Sequence, residues 1–348
     1  MSKVLRDVVL PLIVFSVLIA FAWRFIFGHL HESGLDVALA NACSPKNTSG
    51  RSYRIPYTGF DKIDGHVLCP LVAFFHEAME SSDAITFLTY FVGIGGPLSI
   101  IPSIEGWRQG RRLLIAYPVI FGLLSQTLTI GVTMPMYWLI FLLSGGANTG
   151  RNGNPGGAKI TQAHAEAIVF GIVVGGVIPS VGMLLLEDPL VTAIWQPYPI
   201  YISLAQLAHL AFRRVSKHPD SGYSTIRALY IGAFIVSSSV HISTIWPLLK
   251  DVSTLQNVFL PSIIVPNTSA SLSIRVLHFL KWDFTFGFLS SIVATLWFAR
   301  SMGEFLALVA WSIIATPVFG PGAALTGTAL WRESTLQVES APSKAKQT

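Results

Sequence analysis

The chain has 348 residues, of which 52% are hydrophobic and only 12% are charged, and its mean hydropathy is +0.59. Soluble domains carry about a quarter charged residues, so this composition excludes a soluble globular enzyme and predicts a polytopic membrane protein. The net charge of +5 does not indicate nucleic-acid binding, because basic residues cluster in short segments such as RQGRR (108–112). Such clusters are typical of topology signals between membrane helices.

The apolar blocks predict an all-α transmembrane helical bundle, since about 20 apolar residues are needed to cross a bilayer. We expect about eight helices, with roughly seven to nine compatible with the pattern. The predicted spans are residues 7–27, 70–101, 113–143, 164–186, 189–212, 226–249, 282–299 and 303–325. The short, proline-containing segment 252–266 is a candidate re-entrant or interfacial piece.

The charges around the first span predict the topology. Lys3 and Arg6 precede it, which favours an uncleaved anchor with a cytosolic N-terminus. The chain then divides into an anchor helix (1–27), a luminal loop (28–69), the helical bundle (70–330) and a cytosolic tail (331–348). The tail ends in KAKQT, which resembles the dilysine signal that retains membrane proteins in the endoplasmic reticulum. We therefore expect an endoplasmic reticulum protein with both termini cytosolic.

Two features of this topology stay open. The basic segment FRRVSKH (212–218) would be luminal with eight spans, against the positive-inside rule, and a cytosolic position would require seven or nine. Cys43 and Cys69 flank the sequon at Asn47 in the predicted luminal loop. They form either a disulfide in an oxidising lumen or two unrelated free thiols.

Asp283 stands at the head of the seventh predicted span, where a carboxylate facing lipid would cost about 2.5–3.5 kcal/mol. Helical spacing gives it a small, polar face shared with Gly287, Ser290, Ser291 and Ala294. This face should pack on other helices or line a pocket. Asp283 is then either an N-cap beside Trp282 or a functional acid held neutral by its aromatic neighbours.

Two further polar stripes lie in predicted spans. His241 shares a face with Ser237 and Thr244, as a hydrogen-bonding group between helices or as a group that handles a proton or orients a ligand. Gln126 lies on one face of the third span with Gly122, Thr129 and Thr133. Helix packing through small and polar residues is the favoured explanation of this second stripe.

Glu105 follows a segment that glycines and prolines interrupt, VGIGGPLSIIP (92–102). It precedes Trp107 and Arg108, and Arg112 lies further along the same basic cluster. Glu105 either forms an ion pair with Arg108 or Arg112 at the mouth of a cavity or serves as a functional acid.

Several common catalytic motifs are absent from the sequence. It contains no D-D-x-x-D or N-D-x-x-D pair, no G-x-S-x-G, no H-E-x-x-H and no Walker loop. We therefore expect neither a metal nor a cofactor. Either acid–base chemistry on an apolar molecule or no chemistry remains.

The chain from about residue 90 to 333 resembles the membrane-integral terpene cyclases of fungal meroterpenoid pathways, of the ascochlorin/ascofuranone type. The resemblance rests on the order of PSIEGWRQGRR (102–112), PVIFGLLSQTLTIGVTMPMYWLIFL (118–142), VIPSVGML (177–184), WQPYP (195–199), LKWDFTFG (280–287) and VFGPGAALTGTALWRE (318–333). It implies a metal-independent enzyme that protonates a farnesylated aromatic, or its terminal epoxide, and guides carbocation cyclisation.

The resemblance also implies site residues. Asp283 and Glu105 are the expected catalytic pair, because related short cyclases are thought to use two membrane carboxylates. The expected substrate-binding residues are His241, Gln126, Trp282, Phe286, Trp195 and Arg108. The implied partners are a hydrophobic prenylated small molecule and the lipid bilayer, without nucleic acid. The alternatives to a cyclase are a small-molecule transporter or receptor-like binding protein, another lipid-modifying enzyme, or an accessory subunit.

Overall fold

A computed structural model describes residues 2–44, 53–149 and 158–340. Helices dominate these residues, and no β-strand is formed among them, which confirms the all-α prediction. The main helices are α1 (Leu5–Glu32), α2 (Leu35–Ala42), α3 (Cys69–Glu80), α4 (Ser82–Ile94), α5 (Pro97–Trp107), α6 (Pro118–Leu128), α7 (Ile130–Leu143), α8 (Gln162–Leu186), α9 (Pro189–Trp195), α10 (Tyr198–Phe212), α11 (Tyr223–Leu248), α12 (Val252–Phe259), α13 (Leu272–Thr295), α14 (Met302–Phe319) and α15 (Pro321–Ser340). Short helical turns at Asp61–Ile63 and Asp64–Leu68 lead directly into α3.

Five helical stretches among the described residues are long and apolar enough to cross a membrane. They are Leu5–Glu32, Ser82–Trp107, Gln162–Leu186, Tyr223–Leu248 and Met302–Phe319. The last two turn most of their apolar surface away from the protein, with only 17% and 11% of the residues in their most apolar windows buried. Such outward-facing apolar helices are consistent with a membrane protein.

Side-chain contacts gather several distant segments at one end of the bundle, which we call the basic end. Arg6 donates hydrogen bonds to the carbonyls of Trp297 and Ala299, and Asn148 donates to Asp7. The same end includes the loop contacts Arg108–Ala158, Arg332–Gly146, Gly222–Ile160 and Gln162–Asp220.

The opposite end, which we call the disulfide end, holds the Cys43–Cys69 bond between α2 and the start of α3. The structure thus has the disulfide rather than two free thiols. His29 and His278 meet there, with Nδ1 and Nε2 2.9 Å apart. Further contacts at this end are Arg275–Ser33, Lys281–Asn257 and Thr192–His76.

Helices α6 and α7 form an antiparallel hairpin, so the prediction of one crossing span over 113–143 was wrong. Thr129, with φ +67° and ψ 160°, breaks the helix between them. The Phe121 and Tyr137 rings lie 5.1 Å apart across the hairpin. Both ends of the hairpin lie at the basic end, since Pro118 packs beside Gly106 and the carbonyl of Gly146 accepts from Arg332. The segment turns back because its helical hydrogen bonding stops at Thr129.

The hairpin removes the conflict over the basic segment 212–218. The arrangement with eight crossings placed this segment opposite RQGRR, but Arg213 pairs with Glu166 at the basic end. Its neighbour Gly222 bonds to Ile160 at the same end. Because α6 and α7 together return to their starting side, the segments between this hairpin and Gly320 change sides relative to the prediction. A second reversal at Gly320 returns residue 332 to the basic end, the side predicted for the tail.

Helix α13 is the most deeply embedded long helix. It begins at Leu272, capped by Ser271, ten residues before the predicted start of the seventh span at 282. Asp283 therefore lies near the middle of a 24-residue helix and does not cap that helix. Hydropathy missed the first half of α13 because its polar residues, including His278 and Lys281, are buried against protein rather than exposed to lipid.

Other predicted bounds also differ. The span 70–101 comprises α3, α4 and the first half of α5, interrupted at Ser81, whose side chain caps α4, and before Pro97, which cannot donate a backbone hydrogen bond. The span 189–212 is split into α9 and α10, and 303–325 is broken at Gly320, where φ is +91°. Helix α15 continues through the residues predicted to begin a tail at 331.

The sequon at Asn47 and the KAKQT motif lie outside the described residues.

Candidate active site

Asp283 caps the first turn of α7 from the neighbouring helix. Its Oδ1 accepts a hydrogen bond of 2.5 Å from the Gly131 backbone N–H, and the Ile130 N–H also points at the carboxyl group. The first N–H groups of a helix have no partner within the helix, and their dipoles favour negative charge. Asp283, which is only 7% exposed, is therefore held at a helix N-terminus inside the bundle.

Glycines let α7 and α13 approach closely enough for this contact. A Cβ at Gly131 would lie 2.7 Å from Ile26 Cδ1 and 2.8 Å from the Asp283 carbonyl oxygen. A Cβ at Gly287 would lie 2.7 Å from Ile130 Cγ2. The small face predicted around Asp283 thus packs on another helix.

Replacing Gly131 with alanine should destabilise the protein by about 1–3 kcal/mol, because the added methyl group overpacks the α7–α13 contact. The matched control is Gly232→Ala, at an exposed position of α11 with no atom within 4 Å of the new Cβ. Thermal unfolding of the detergent-solubilised variants measures the difference. Equal melting temperatures for the two variants would contradict the close contact.

A charged quartet, formed by Glu105, Arg108, Arg332 and Glu333, lies at the basic end. Glu105 Oε1 accepts from Arg108 Nε at 2.8 Å and from an Arg332 terminal nitrogen at 2.7 Å. Arg108 also donates to Glu333, and its second terminal nitrogen donates to the Ala158 carbonyl at 2.9 Å. All four residues are buried.

The quartet balances its charges, with two carboxylates and two guanidiniums. Arg332 also stacks on the Phe298 ring at 4.1 Å and bonds to the Gly146 carbonyl. Buried charges are tolerated only when they are paired and hydrogen-bonded. The sequence left open whether Glu105 forms an ion pair or serves as a functional acid. Its contacts with two guanidinium groups match the first alternative, an ion pair with Arg108.

A cleft opens between α5, α6 and α10 on the side of the hairpin. Ile130 and Met134 of α7 form part of its wall, next to Gly131. Ser103 of α5 lines it two residues before Glu105. The full lining is Leu98, Ser99, Pro102, Ser103, Pro118, Val119, Phe121, Gly122, Ser125, Ile130, Met134, Tyr198, Pro199, Ile202 and Ser203. The cleft is mostly apolar with a few hydroxyl groups, as in many sites for hydrophobic small molecules.

Comparison with known proteins places this architecture in a family. Residues 9–336 match the family model described as the CtvD domain. The chain belongs to the CtvD family. Over 256 residues, or 67% of its length, it is 27% identical to the terpene cyclase ascI of Acremonium egyptiacum, covering 65% of that protein. Over 195 residues, or 51% of its length, it is 26% identical to the terpene cyclase ctvD of Aspergillus terreus, covering 54% of that protein.

A third relative carries a different name. Over 283 residues, 76% of its length, this CtvD-family chain is 24% identical to the FAD-dependent monooxygenase verC1 of Penicillium polonicum and covers 34% of that protein. The chain thus spans less than two thirds of each of these curated relatives. No solved structure gives a significant match. The family match confirms the resemblance to fungal meroterpenoid cyclases.

The two acids expected from the sequence occupy separate places in this CtvD-family protein. Asp283 contacts the first turn of α7. Glu105 lies at the basic end, where its charge interacts with the Tyr137 hydroxyl group. Gly131 and Tyr137 are six residues apart, or about 9 Å along the helix axis. The cleft is lined by Ile130 and Met134 of α7, and the described contacts do not join the two carboxylates.

The aromatic and histidine candidates mostly lie away from the cleft. Trp282 stacks on Phe25 of α1 at 4.4 Å, and Phe286 lies 6.2 Å from the same ring. His241 joins three helices, with Nδ1 2.8 Å from the Tyr90 hydroxyl and Nε2 3.1 Å from the Pro317 carbonyl. These contacts match the structural explanation of the His241 stripe.

The remaining candidates lie closer to the cleft. Trp195 stacks on Tyr198, a residue of the cleft wall, with ring centroids 5.5 Å apart. Gln126 is half-buried on α6, next to Ser125 of the cleft lining. Arg108 does not line the cleft but pairs with Glu105, which follows the cleft residue Ser103 by two positions.

Sequence reasoning missed Arg332 and Glu333, which it assigned to the tail, and it did not single out Tyr137. The one available signal was an adjacent pair of opposite charges, WRE (331–333), directly after an apolar run that also contains small residues. Such a pair at the end of a membrane helix is compatible with a buried ion network as well as with a solvated tail.

Proposed function

We propose that this protein is a membrane-integral, metal-independent terpene cyclase acting on a farnesylated aromatic compound or its terminal epoxide. Membership of the CtvD family and two relatives named as terpene cyclases support this proposal. The observation that carries it is Asp283, a buried carboxyl group halfway along a central helix. Ionisable residues at that depth mark functional sites by default.

Asp283 is proposed to act as the initiating acid. Its carboxyl proton moves to the epoxide oxygen or the terminal alkene, and the resulting carbocation is attacked by the next double bond. The last cation loses a proton, or an internal hydroxyl attacks it and loses its own, and that proton returns to Asp283. The substrate is thereby isomerised without change in mass. The Gly131 and Ile130 N–H groups stabilise the carboxylate left after the first transfer.

Glu105 has a different part in this proposal. Two guanidiniums keep it as a carboxylate, so it supports the basic end of the site through the charged quartet while Asp283 donates the proton. The groups that contact the Asp283 carboxyl include backbone N–H groups and no basic side chain among the described residues. Of the two acids, Asp283 is the one whose surroundings allow a neutral, donating form.

The third relative favours the epoxide as substrate. A protein named as an FAD-dependent monooxygenase contains a segment similar to most of this chain, within one third of its length. An oxygenase and a cyclase acting in sequence on one substrate would explain this association. Flavin-dependent oxygenation of the terminal alkene would supply the epoxide that Asp283 opens.

We further propose that the basic end faces the cytosol and the disulfide end faces the lumen of the endoplasmic reticulum. The segments RQGRR and 212–218 then both lie on the cytosolic side, in agreement with the positive-inside rule. The Cys43–Cys69 bond supports an oxidising lumen at the other end. Residues 6 and 332 both lie at the basic end, which supports cytosolic positions for both ends of the described bundle.

The test is incubation of microsomes containing the protein with a farnesyl-aryl terminal epoxide. We expect a cyclised isomer of the same mass, resolved from the substrate by chromatography and identified by NMR. Microsomes without the protein provide the control. Recovery of unchanged epoxide from microsomes with verified, folded protein would refute cyclisation of this substrate class.

A further inference from the structure

Two hydroxyl groups on α7 lie inside the bundle without a hydrogen-bond partner among the described residues. They belong to Thr133 and Tyr137, which we call the hydroxyl pair. Both residues are 0% exposed. A buried hydroxyl without a partner is unfavourable by the full cost of its desolvation. Most buried polar side-chain atoms in native proteins have a partner in the protein, in ordered water or in a ligand.

The hydroxyl pair lies between the two charged features of the site. Residues 133 and 137 are four apart and so share one face of α7, which begins at the Asp283 contact. The Tyr137 ring packs on Phe121, a residue of the cleft wall, at 5.1 Å. Its hydroxyl lies within electrostatic range of Glu105 and Arg332 at the basic end. The hydroxyl pair thus lies along α7 between the Asp283 contact and the charged quartet, directly beneath the cleft wall formed by Phe121, Ile130 and Met134.

Helix α6 forms one wall of the cleft. This helix is only 11 residues long and runs from Pro118 to Leu128. It is followed by Thr129, whose positive φ is unusual for a β-branched residue. Tyr117 and Ile120 at its outer end are each 54% exposed. A displacement of α6 about Thr129 would uncover the face of α7 that carries the hydroxyl pair.

We propose that Thr133 and Tyr137 form the head-group subsite of the cyclase and bind the oxygen substituents of the substrate's aromatic ring. This inference rests on the proposed function. An amphiphile in a membrane keeps its polar head near the interface and its apolar tail toward the middle. Tyr137 is nearer the basic end, whereas the Asp283 contact lies about 9 Å away along α7. A prenyl chain with its head on Tyr137 therefore presents its terminal epoxide to Asp283.

The first test requires no substrate. Tyr137→Phe removes a hydroxyl group that has no partner among the described residues, so its melting temperature should equal or exceed that of the wild type. Tyr201→Phe is the matched control, because the Tyr201 hydroxyl donates to the Ile194 carbonyl at 2.7 Å. A clear loss of stability in Tyr137→Phe alone would overturn the proposal, since it would reveal a structural partner for this hydroxyl.

The second test compares an epoxyfarnesyl resorcinol with its di-O-methyl ether, which cannot donate hydrogen bonds and whose methyl groups hinder a hydroxyl group from donating to its oxygens. Tyr137→Phe and Thr133→Val should each raise the KM for the resorcinol by about 10-fold and leave the KM for the ether within about twofold of wild type. The Tyr201→Phe control should change neither KM. Equal effects on both substrates, or no effect on either, would overturn the head-group subsite.

Ligand binding separates this inference from the proposed function. The increase in melting temperature on adding the resorcinol or the ether is measured for wild type and for Tyr137→Phe. This measurement reports binding and does not require that the ligand be converted to product. Absence of a cyclised product from wild type would refute the cyclase alone. Stronger stabilisation by the resorcinol than by the ether, lost in Tyr137→Phe, would still support the subsite, and its absence in wild type would refute the subsite.

Discussion

The substitution Asp283→Asn is expected to reduce product formation by at least about 100-fold while the protein remains folded. The amide side chain that replaces the carboxyl group keeps an oxygen that can accept from the Gly131 N–H, so the contact that caps α7 survives. It lacks the acidic proton that opens the epoxide. The measurement is the initial rate of isomer formation by purified protein, with the melting temperature recorded for the same sample.

Alanine at the same position separates the two roles of Asp283. It removes both the acid and the acceptor, which takes away the hydrogen bond that Gly131 donates at the start of α7. We expect inactivity together with a loss of stability of about 1–3 kcal/mol. Full turnover by Asp283→Asn would end the assignment of Asp283 as the proton donor. An inactive but equally stable Asp283→Ala would end its assignment as the cap of α7.

The sequence predicted those features of the fold that depend only on residues close together in the chain. Composition predicted the apolar helices, and helical spacing predicted that the face of Asp283 would pack inside the bundle. That face meets α7 through Gly287 and through Ser291, whose hydroxyl accepts from the Trp138 indole N–H at 2.9 Å. Small side chains allow such a close contact. These rules need only neighbouring residues, so they can be applied without a structure.

The sequence was misleading where a long apolar segment reverses direction instead of forming one continuous span. Residues 113–143 are apolar enough for one span, and hydropathy carries no information on direction. The break occurs at Thr129, which is neither glycine nor proline, so no turn signal marks it. One missed reversal then placed the basic segment 212–218 on the wrong side. Topology counts are cumulative, so one missed hairpin changes every assignment up to the next missed reversal, which here lies at Gly320.

The charged quartet could not be predicted because it depends on contacts between distant residues. Arg332 and Glu105 are 227 positions apart, and their ion pair forms only when α15 packs beside α5. Hydropathy assigned Arg332 to a solvated tail, since a charged residue beyond the last apolar run usually is solvated. The same dependence on folding hides Tyr137, whose unpartnered hydroxyl becomes visible only in the described bundle.

Arg332→Met is expected to destabilise the protein by about 3–5 kcal/mol, because it leaves the quartet with an uncompensated buried negative charge. The methionine side chain can still pack on Phe298, so the loss reports mainly on the charge. Arg213→Met is the matched control. Arg213 pairs with Glu166, but its side chain is 41% exposed, and such exposed pairs contribute about 0–1 kcal/mol. Thermal unfolding of both variants in the same detergent measures the difference.

The double variant Glu105→Met/Arg332→Met tests whether the quartet consists of two neutral pairs. Removing both partners leaves Arg108 and Glu333 still joined, with no net buried charge. The double variant should therefore be less destabilised than the sum of the two single variants, by about 1–3 kcal/mol of coupling. Additive losses would show that Glu105 and Arg332 do not compensate each other. An Arg332→Met variant as stable as Arg213→Met would show that water reaches the quartet and screens its charges.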